Sequence, residues 1–427
     1  MNADFPRSLE RRIQDLTLIL EVSRSITAEK NLDQLLHLIT TSATKVMDAD
    51  RSSLFLVDEK GKELFSKIAQ GSSEIRFPIG AGIAGSVAQT KEIINIPEAY
   101  KDSRFNQEFD RRSGYKTETI LCAPLMTHEK KVVGVLQVLN KKQGVFNTYD
   151  EYLLKALANH AAIALDNAQL IIHYSEKQKL EQSMSIAREI QQSLLPLIPP
   201  QFKYYDIFGI NQSCEETGGD YFDFIQISDT ETAIIVGDVS GHGLGSALVM
   251  VSARSSLIGL VEMKLDISEV LYRLNNQLER DMNKATSGSE HFMTLLLGVL
   301  DHRSHEFYYT SAGHDPPILY RKEFQVIEEL ESTGLPLGMF GNSEFPKSSP
   351  LSIAVGDIFL CATDGLWESK NSQNEDFGKD RIIDILREFS DKGAQDLIKI
   401  ILKKLEDFTQ TAPQKDDITL IILKRIH

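Results

Sequence analysis

Asp238-Val239-Ser240-Gly241-His242-Gly243-Leu244-Gly245 is the stretch of this chain best equipped for chemistry. The apolar run 233–236 leads into it, and a run of helical character, 246–261, leads out. A carboxylate therefore stands where a buried strand is expected to end. The glycines after it permit tight turns and close backbone approach to a metal or an anion. Mg²⁺ and Mn²⁺ favour carboxylate, carbonyl and water oxygens, so an aspartate in this place suits a hard divalent cation. Taken alone, the segment reads equally well as a strand-turn-helix junction in which Asp238 only orders the turn. The same half of the chain, however, carries further acids in similar places. Asp220 follows Thr217-Gly218-Gly219 and precedes Tyr221-Phe222-Asp223. Asp364 follows the run 359–363, and Asp416 and Asp417 directly precede Ile418-Thr419-Leu420-Ile421-Ile422. Converging carboxylates repel one another unless cations neutralise them or protons are retained. Asp220, Asp238, Asp364 and Asp416 together suggest a two-metal site. Such sites hold ions ~3.5–4 Å apart and lower the pKa of a bridging water to near neutrality.

The elements that must position these acids follow from hydrophobic periodicity. After Pro200, strands are expected at 205–210, 221–227, 232–236, 292–300, 306–310, 318–320, 357–362 and 418–423. Helices are expected at 244–263, 267–282, 380–389 and 394–408. Long apolar strands with paired helices imply sheets covered by helices. Upstream, helical patterns run from Leu16 to Ile26 and from Leu32 to Ile39, after a polar lead-in over 1–14. Strands are expected at 53–57 and 64–69, joined by a hairpin turn at Asp58-Glu59-Lys60-Gly61. A glycine loop at 80–87 opens a short helix, and strands follow at 120–125 and 132–139. From Tyr149 to Leu195 no proline or glycine interrupts a helical pattern. Leu180, Met184, Ala187, Ile190 and Leu194 form an apolar stripe near its end, and such a stripe normally needs a partner helix. A parallel two-chain coiled coil, and hence a homodimer, is the first reading, with a helix folded back on its own domain as the alternative. Pro196, Pro199 and Pro200 end the helix.

The chain has 427 residues, long enough for two or three domains. Its formal net charge of -15 argues against general nucleic-acid binding and against docking on anionic membranes. Cys122, Cys214 and Cys361 are far apart and lack metal-ligand spacing, which implies free thiols in a reducing compartment. The first residues hold no apolar signal core, and no apolar run is read as long enough to span a bilayer. These features point to a cytoplasmic protein.

Six stretches in order carry a family resemblance. They are Gly218-Gly219-Asp220-Tyr221-Phe222-Asp223, Asp238-Val239-Ser240-Gly241-His242-Gly243, Ser311-Ala312-Gly313-His314-Asp315-Pro316-Pro317, Leu335-Pro336-Leu337-Gly338, Ala362-Thr363-Asp364-Gly365 and Asp416-Asp417-Ile418-Thr419. The set resembles that of SpoIIE/RsbU-type PPM serine/threonine phosphatases, and the preceding stretch 187–196 is also typical of them. The resemblance implies two stacked sheets flanked by helices. It implies that Asp238 bridges two divalent cations, Mn²⁺ or Mg²⁺, with the Val239 carbonyl also facing the site. Asp220 would hold the water shell of one ion, and Asp364 and Asp416 the other ion. Water activated between the ions would attack a phosphoserine or phosphothreonine in line, with no covalent phospho-enzyme. The implied substrate is a phosphorylated STAS-type anti-sigma factor antagonist. Asp417 reads as a support for the ligands. His242 lies four residues after Asp238 and is not assigned as general acid. Arg254 is the nearest candidate for a phosphate clamp, though an ion-paired helix face is the simpler reading. Ser311 to His314 fits an edge loop near the site, and Trp367 packs beside the Asp364 turn.

The N-terminal element order, with Pro78-Ile79-Gly80-Ala81-Gly82-Ile83-Ala84-Gly85 and Ala123-Pro124-Leu125, resembles a GAF domain, a sensor fold with a central antiparallel sheet. Asn140-Lys141, Phe146 and Asp150-Glu151 match the NK-F-DE pattern of GAF domains in cyclic-nucleotide phosphodiesterases and related cyclases. There the lysine and aspartate support the pocket rather than contact ligand. A polar turn followed by an acidic first helical turn explains the same residues without a ligand. The expected plan is α+β and multidomain: a lead-in (1–14), a GAF sensor fold (15–172), a long helical coiled-coil linker (173–199) and a PPM-type α-β-β-α phosphatase sandwich (200–427). The expected function is a phosphatase controlled by a small-molecule GAF ligand, a cyclic nucleotide being one possibility. The alternative is a ligand-binding signalling scaffold with little or no catalysis.

Overall fold

The structure is a computed structural model that describes residues 4–427 except 59, 61, 70–74 and 283–290. The chain divides into two compact units, Met1–Lys179 and Leu180–His427.

The first unit begins with α1 (Asp4–Ala28) and α2 (Leu32–Val46). Strands β1 (Ala49–Val57), β2 (Glu63–Ala69) and β3 (Ile75–Pro78) follow, then α3 (Gly82–Thr90), β4 (Ile94–Ile96), α4 (Glu108–Ser113), β5 (Ile120–Met126) and β6 (Val132–Lys141). The helix starts at Asp4, ahead of the apolar stripe that begins at Leu16, because residues 7–14 are mostly good helix formers and Pro6 is tolerated in a first turn. The strands form one antiparallel sheet in the order β3-β2-β1-β6-β5-β4. Glu59 and Gly61 of the expected β1–β2 turn lie outside the described residues, while β1 and β2 pair antiparallel as a hairpin requires. Side chains alternate strictly across the sheet. Leu54, Leu121, Ala123, Leu136 and Val138 face α1 and α2, whereas Phe55, Ile120, Cys122 and Val135 face α3.

Helix α5 (Thr148–Leu194) runs unbroken for 47 residues, with no proline or glycine to interrupt it. Its first half buries Leu154, Leu157, Ala161 and Leu165 against the first sheet. Along the expected coiled-coil stripe, Leu180 and Ile190 are each 59% exposed.

The second unit continues with β7 (Tyr205–Gln212), β8 (Tyr221–Gln226), β9 (Glu231–Val239), α6 (Leu244–Glu262), α7 (Ile267–Met282), β10 (Met293–Asp301), β11 (Glu306–Ala312), β12 (Ile318–Arg321), β13 (Val326–Glu329), β14 (Leu351–Ser352) and β15 (Ile358–Ala362). It ends with α8 (Lys379–Glu388), α9 (Ala394–Thr409) and β16 (Ile418–Arg425). Two antiparallel sheets result, β14-β11-β10-β9-β8 and β13-β12-β15-β16-β7. Their strands are apolar on both faces, which is why they read as nearly continuous hydrophobic runs. Ile234 and Val236 of β9 meet Phe359 and Cys361 of β15 and Ile421 and Leu423 of β16 between the sheets. The alternate residues Ala233 and Ile235 face α6 and α7, while Leu360, Ala362, Leu420 and Ile422 face α8 and α9. The order is helix layer, sheet, sheet, helix layer, so the α-β-β-α expectation holds. The short strands β13 and β14 carry too little apolar pattern to stand out in the sequence.

One expectation needs correcting. α6, at 19 residues, is long and apolar enough by length and composition to cross a bilayer. The structure packs it against the sheet β14-β11-β10-β9-β8 instead, burying Ala247, Met250, Ala253, Leu257 and Val261.

Candidate active site and sensor cavity

The two rows of side chains that fill the sandwich end in acid. On β9 the interior row Ile234, Val236 continues to Asp238, and Asp220 precedes β8 in the same alternation as the interior Phe222. Period-2 geometry therefore drives these carboxylates into the end of the core. Asp220 is only 2% exposed, Asp238 and Asp364 are half-buried, and Asp416 is exposed. β10 lies alongside, pairing Thr294 with Asp238.

Burial and mutual repulsion raise the affinity of these carboxyls for protons. Asp220 is pushed well above the usual carboxylate range, first by burial and then by the charge of Asp238. Burial, Asp364 and Asp416 push Asp238 up to about 7, and its carboxyl shares a hydrogen bond with that of Asp220. Asp364 is raised to about 6 by burial and by Asp416, Glu368 and Asp315. Asp416 is raised as well, burial being the main cause. Asp238 thus interacts with each of the other three acids, and Asp364 also with Asp416. Among the described residues, no lysine or arginine forms an ion pair with any of them. Nor do any three carboxylate, imidazole or thiolate groups there stand in ready-made coordinating geometry. The donor set is nonetheless all oxygen, acidic and short of positive charge, which suits hard divalent cations.

Supporting residues fix the acids from behind. Thr363 Oγ1 donates to Asp220 Oδ2 at 2.8 Å and accepts from the Thr419 N–H at 3.0 Å. Asp417, 3% exposed, accepts the Cys214 N–H at 2.8 Å and the Gly219 N–H at 2.7 Å. It thereby ties the start of β16 to the loop before Asp220. Gly219 has no alternative at its position, since a Cβ there would stand 2.6 Å from the Val239 carbonyl oxygen. Sequence reasoning placed Asp417 behind the four acids but missed Thr363. Its position between the end of β15 and Asp364 was the available clue.

The remaining residues singled out in the sequence fall as follows. His242 is 60% exposed and lies 2.9 Å from Glu215, close enough to Asp416 to lower the proton affinity of that acid. Arg254 faces Asp223 at 3.7 Å on the covered side of α6, which removes it as a phosphate clamp. Trp367 is buried among α8 and α9, with Lys379 over its ring at 4.6 Å. Of the expected edge loop, Ser311 lies within β11, and His314 follows that strand in a covered loop. β11 lies inside its sheet, and His314 is 2% exposed, with its Nδ1 2.9 Å from Thr294 Oγ1.

In the first unit a cavity of about 270 Å³ lies on the α3 side of the sheet, with Arg51, Phe55, Phe77, Arg104, Tyr115 and Thr117 among its lining residues. The Arg51 guanidinium stacks on the Tyr115 ring at 4.0 Å. Asn140, Lys141, Phe146, Asp150 and Glu151 do not line it. Lys141 and Asp150 pair at 2.5 Å, and Asn95 Nδ2 bonds both the Phe146 carbonyl and Glu151. Asn140 Nδ2 donates to the Tyr115 hydroxyl at 2.9 Å, one step from the cavity. Lys141 and Asp150 thus tie the end of β6 to the start of α5, while Asn140 ties β6 to the residues before β5 and Glu151 ties α5 to β4.

Comparison with known proteins resolves both halves. Residues 31–165 match the GAF domain family, and residues 228–426 match the family described as stage II sporulation protein E (SpoIIE). The chain joins a GAF domain to a SpoIIE-type domain. A probable 3',5'-cyclic phosphodiesterase, pde-5 of Caenorhabditis elegans, is 36% identical over 202 residues, covering 44% of this chain and 27% of that protein. The cGMP-specific 3',5'-cyclic phosphodiesterase of Drosophila melanogaster is likewise 36% identical over 202 residues, covering 42% of this chain and 18% of that protein. The chain thus spans about a quarter or less of the length of these relatives. Among solved structures, the SiaA-PP2C domain of Pseudomonas aeruginosa is similar in fold. Its TM-score is 0.51 at 22% identity, covering 59% of this chain and 99% of that one. Asp238, Asp364 and Asp416 lie in the stretch matched by the SpoIIE family, with Asp220 just ahead of it, and the cavity lies in the stretch matched by the GAF family.

Proposed function

We propose that the chain is a sensor-regulated, metal-dependent protein serine/threonine phosphatase. The observation that carries this reading is the cluster of Asp220, Asp238, Asp364 and Asp416 at the end of the sandwich, with proton affinities raised by burial and by one another. These four acids and the Val239 carbonyl are the proposed ligands for two divalent cations, Mn²⁺ or Mg²⁺. Bound there, the ions would supply the Lewis acidity that makes water a nucleophile at neutral pH and would offset phosphoryl charge.

The residues of the chain do the positioning. Asp238, which interacts with the buried Asp220 and with the more open Asp364 and Asp416, would serve both ions. Thr363 orients Asp220, and Asp417 holds the preceding loop. The exposed Asp416 marks the side from which a phosphoserine or phosphothreonine enters. Resemblance of the motif set supports a STAS-type anti-sigma factor antagonist as substrate, in a partner-switching pathway. The exposed stripe on α5 supports a homodimer through a coiled coil. The cavity supports a small-molecule GAF ligand. Its guanidinium groups and aromatic walls suit a cyclic nucleotide, whose phosphate and base need a cation and a flat apolar surface.

The deciding experiment follows phosphate release from a phosphoserine STAS-type protein and from a chromogenic phosphate ester, with Mn²⁺ or Mg²⁺ and with cyclic GMP or cyclic AMP. Hydrolysis of both that depends on metal is expected. Binding of nucleotide with hydrolysis of neither would favour the signalling scaffold.

A further inference from the structure

From His173 to Pro200 the chain is exposed or half-buried at every residue except one, and that one is polar. Gln191, in the last turns of α5, is 7% exposed. Its Nε2 donates to the Gly218 carbonyl at 2.6 Å, and its Oε1 accepts the Gly218 N–H at 3.1 Å. One side-chain amide thus satisfies both backbone groups of a single residue, and these groups are buried, so leaving them unmatched is costly. Only a primary amide offers donor and acceptor side by side, and asparagine is one methylene shorter. Gly218 is the first residue of Gly218-Gly219-Asp220, and a Cβ there would run into Asp417 Oδ2. The three-residue run is therefore pinned at each step: Gly218 by Gln191, Gly219 by Asp417 and Asp220 by Thr363. The second and third pins come from the strand ends of the sandwich itself. The first comes from the helix that precedes the catalytic domain.

We infer that Gln191 is a positioning residue for Asp220: its amide sets the backbone of Gly218 and so the place of the Asp220 carboxylate toward a bound cation. The inference rests on the two-metal reading above. Residues that orient metal ligands from behind typically alter metal affinity or activity by ~10–100-fold when removed.

The test uses the full chain and the variant Q191M, which keeps the volume and deletes both hydrogen bonds. Free Mn²⁺ is measured by electron paramagnetic resonance during titration, hydrolysis is followed against Mn²⁺ concentration, and amide exchange over 214–220 is measured in metal-free protein. The expected result is Mn²⁺ affinity about tenfold weaker and a matching rise in the Mn²⁺ needed for half-maximal rate. The KM for the phosphoprotein should stay unchanged, and exchange over 214–220 should be faster. Gln192→Met, on the exposed side of the same turn, should match the parent. Parental Mn²⁺ affinity and exchange in Q191M would overturn the inference, as would a loss of thermal stability with unchanged Mn²⁺ affinity. Should Q191M fail to fold, Q191E keeps the acceptor for the Gly218 N–H and loses the donor. It should shift Mn²⁺ affinity in the same direction, and parental behaviour would be equally decisive. If the parent itself binds no Mn²⁺, the two-metal reading fails, while exchange over 214–220 still reports on the amide contact.

Discussion

At the scale of residues, the proposed roles of the acids can be separated by substitution. Asp238→Asn leaves an amide, a poor ligand for a cation, at the centre of the cluster. Hydrolysis should fall by about three orders of magnitude with circular dichroism unchanged, whereas near-parental turnover in the presence of Mn²⁺ would rule out its assigned role. Asp364→Asn and Asp416→Asn should behave alike. Asp417→Asn should lose less, on the order of tenfold, because its carboxylate holds the Cys214 and Gly219 N–H groups rather than an ion. His314 supplies a stability test of its own. Burial depresses its pKa to about 4 from an ordinary value near 6.5. The unfolded chain therefore binds a proton that the folded chain refuses between those values, so stability is lost as pH falls from 6.5 toward 4. His314→Asn keeps an acceptor for Thr294 and removes the titration. Urea melts of the metal-free protein should then lose pH dependence in that window by up to ~1.4 kcal/mol per pH unit. An unchanged slope would show that His314 is protonated in the folded state.

At the scale of elements, α5 is the unusual one. It has no glycine or proline across 47 residues, and of its apolar stripe Leu180 and Ile190 are exposed on the single chain while Met184, Ala187 and Leu194 are half-buried. An unpartnered stripe of this kind normally finds a second helix, so Leu180→Asp with Ile190→Asp should move the sedimentation of the chain from dimer toward monomer. A stiff helix can also transmit a shift or rotation that a floppy linker would dissipate. The proposed switch is a stripe that packs in two ways, across a dimer or onto the catalytic domain, with the GAF ligand biasing the choice. A ligand moves such an equilibrium only by its difference in affinity between the two states. Inserting Gly-Gly-Ser-Gly after Lys177 should leave basal hydrolysis measurable and abolish its response to ligand. A parental response in the insertion mutant would instead favour direct contact between the two domains.

At the scale of the whole molecule, two units with separate cores should unfold separately. Calorimetry of the full chain should show two transitions. A ligand stabilises only the unit that binds it, so Mn²⁺ should raise one transition and a cyclic nucleotide the other, and chelation should abolish hydrolysis until metal returns. A single transition moved by both ligands would mean that the two cores fold as one. The sequence alone determined much of this. Its period-2 and period-3.6 patterns dictate the strands and helices, and an apolar run ending in aspartate marks the acids, because local periodicity and chain neighbours are written in order. What it could not determine is which groups meet across long loops. Thr363 against Asp220, Asp417 against Gly219 and Gln191 against Gly218 join residues 27 to 198 positions apart. Such pairs leave no periodic trace. The local sequence likewise could not tell that His314, in the loop after β11, would be covered, since that depended on Thr294 of β10 lying beside it. Only the stacking of the two sheets, with the helix end laid on the Gly218 loop, brought these partners within hydrogen-bonding reach.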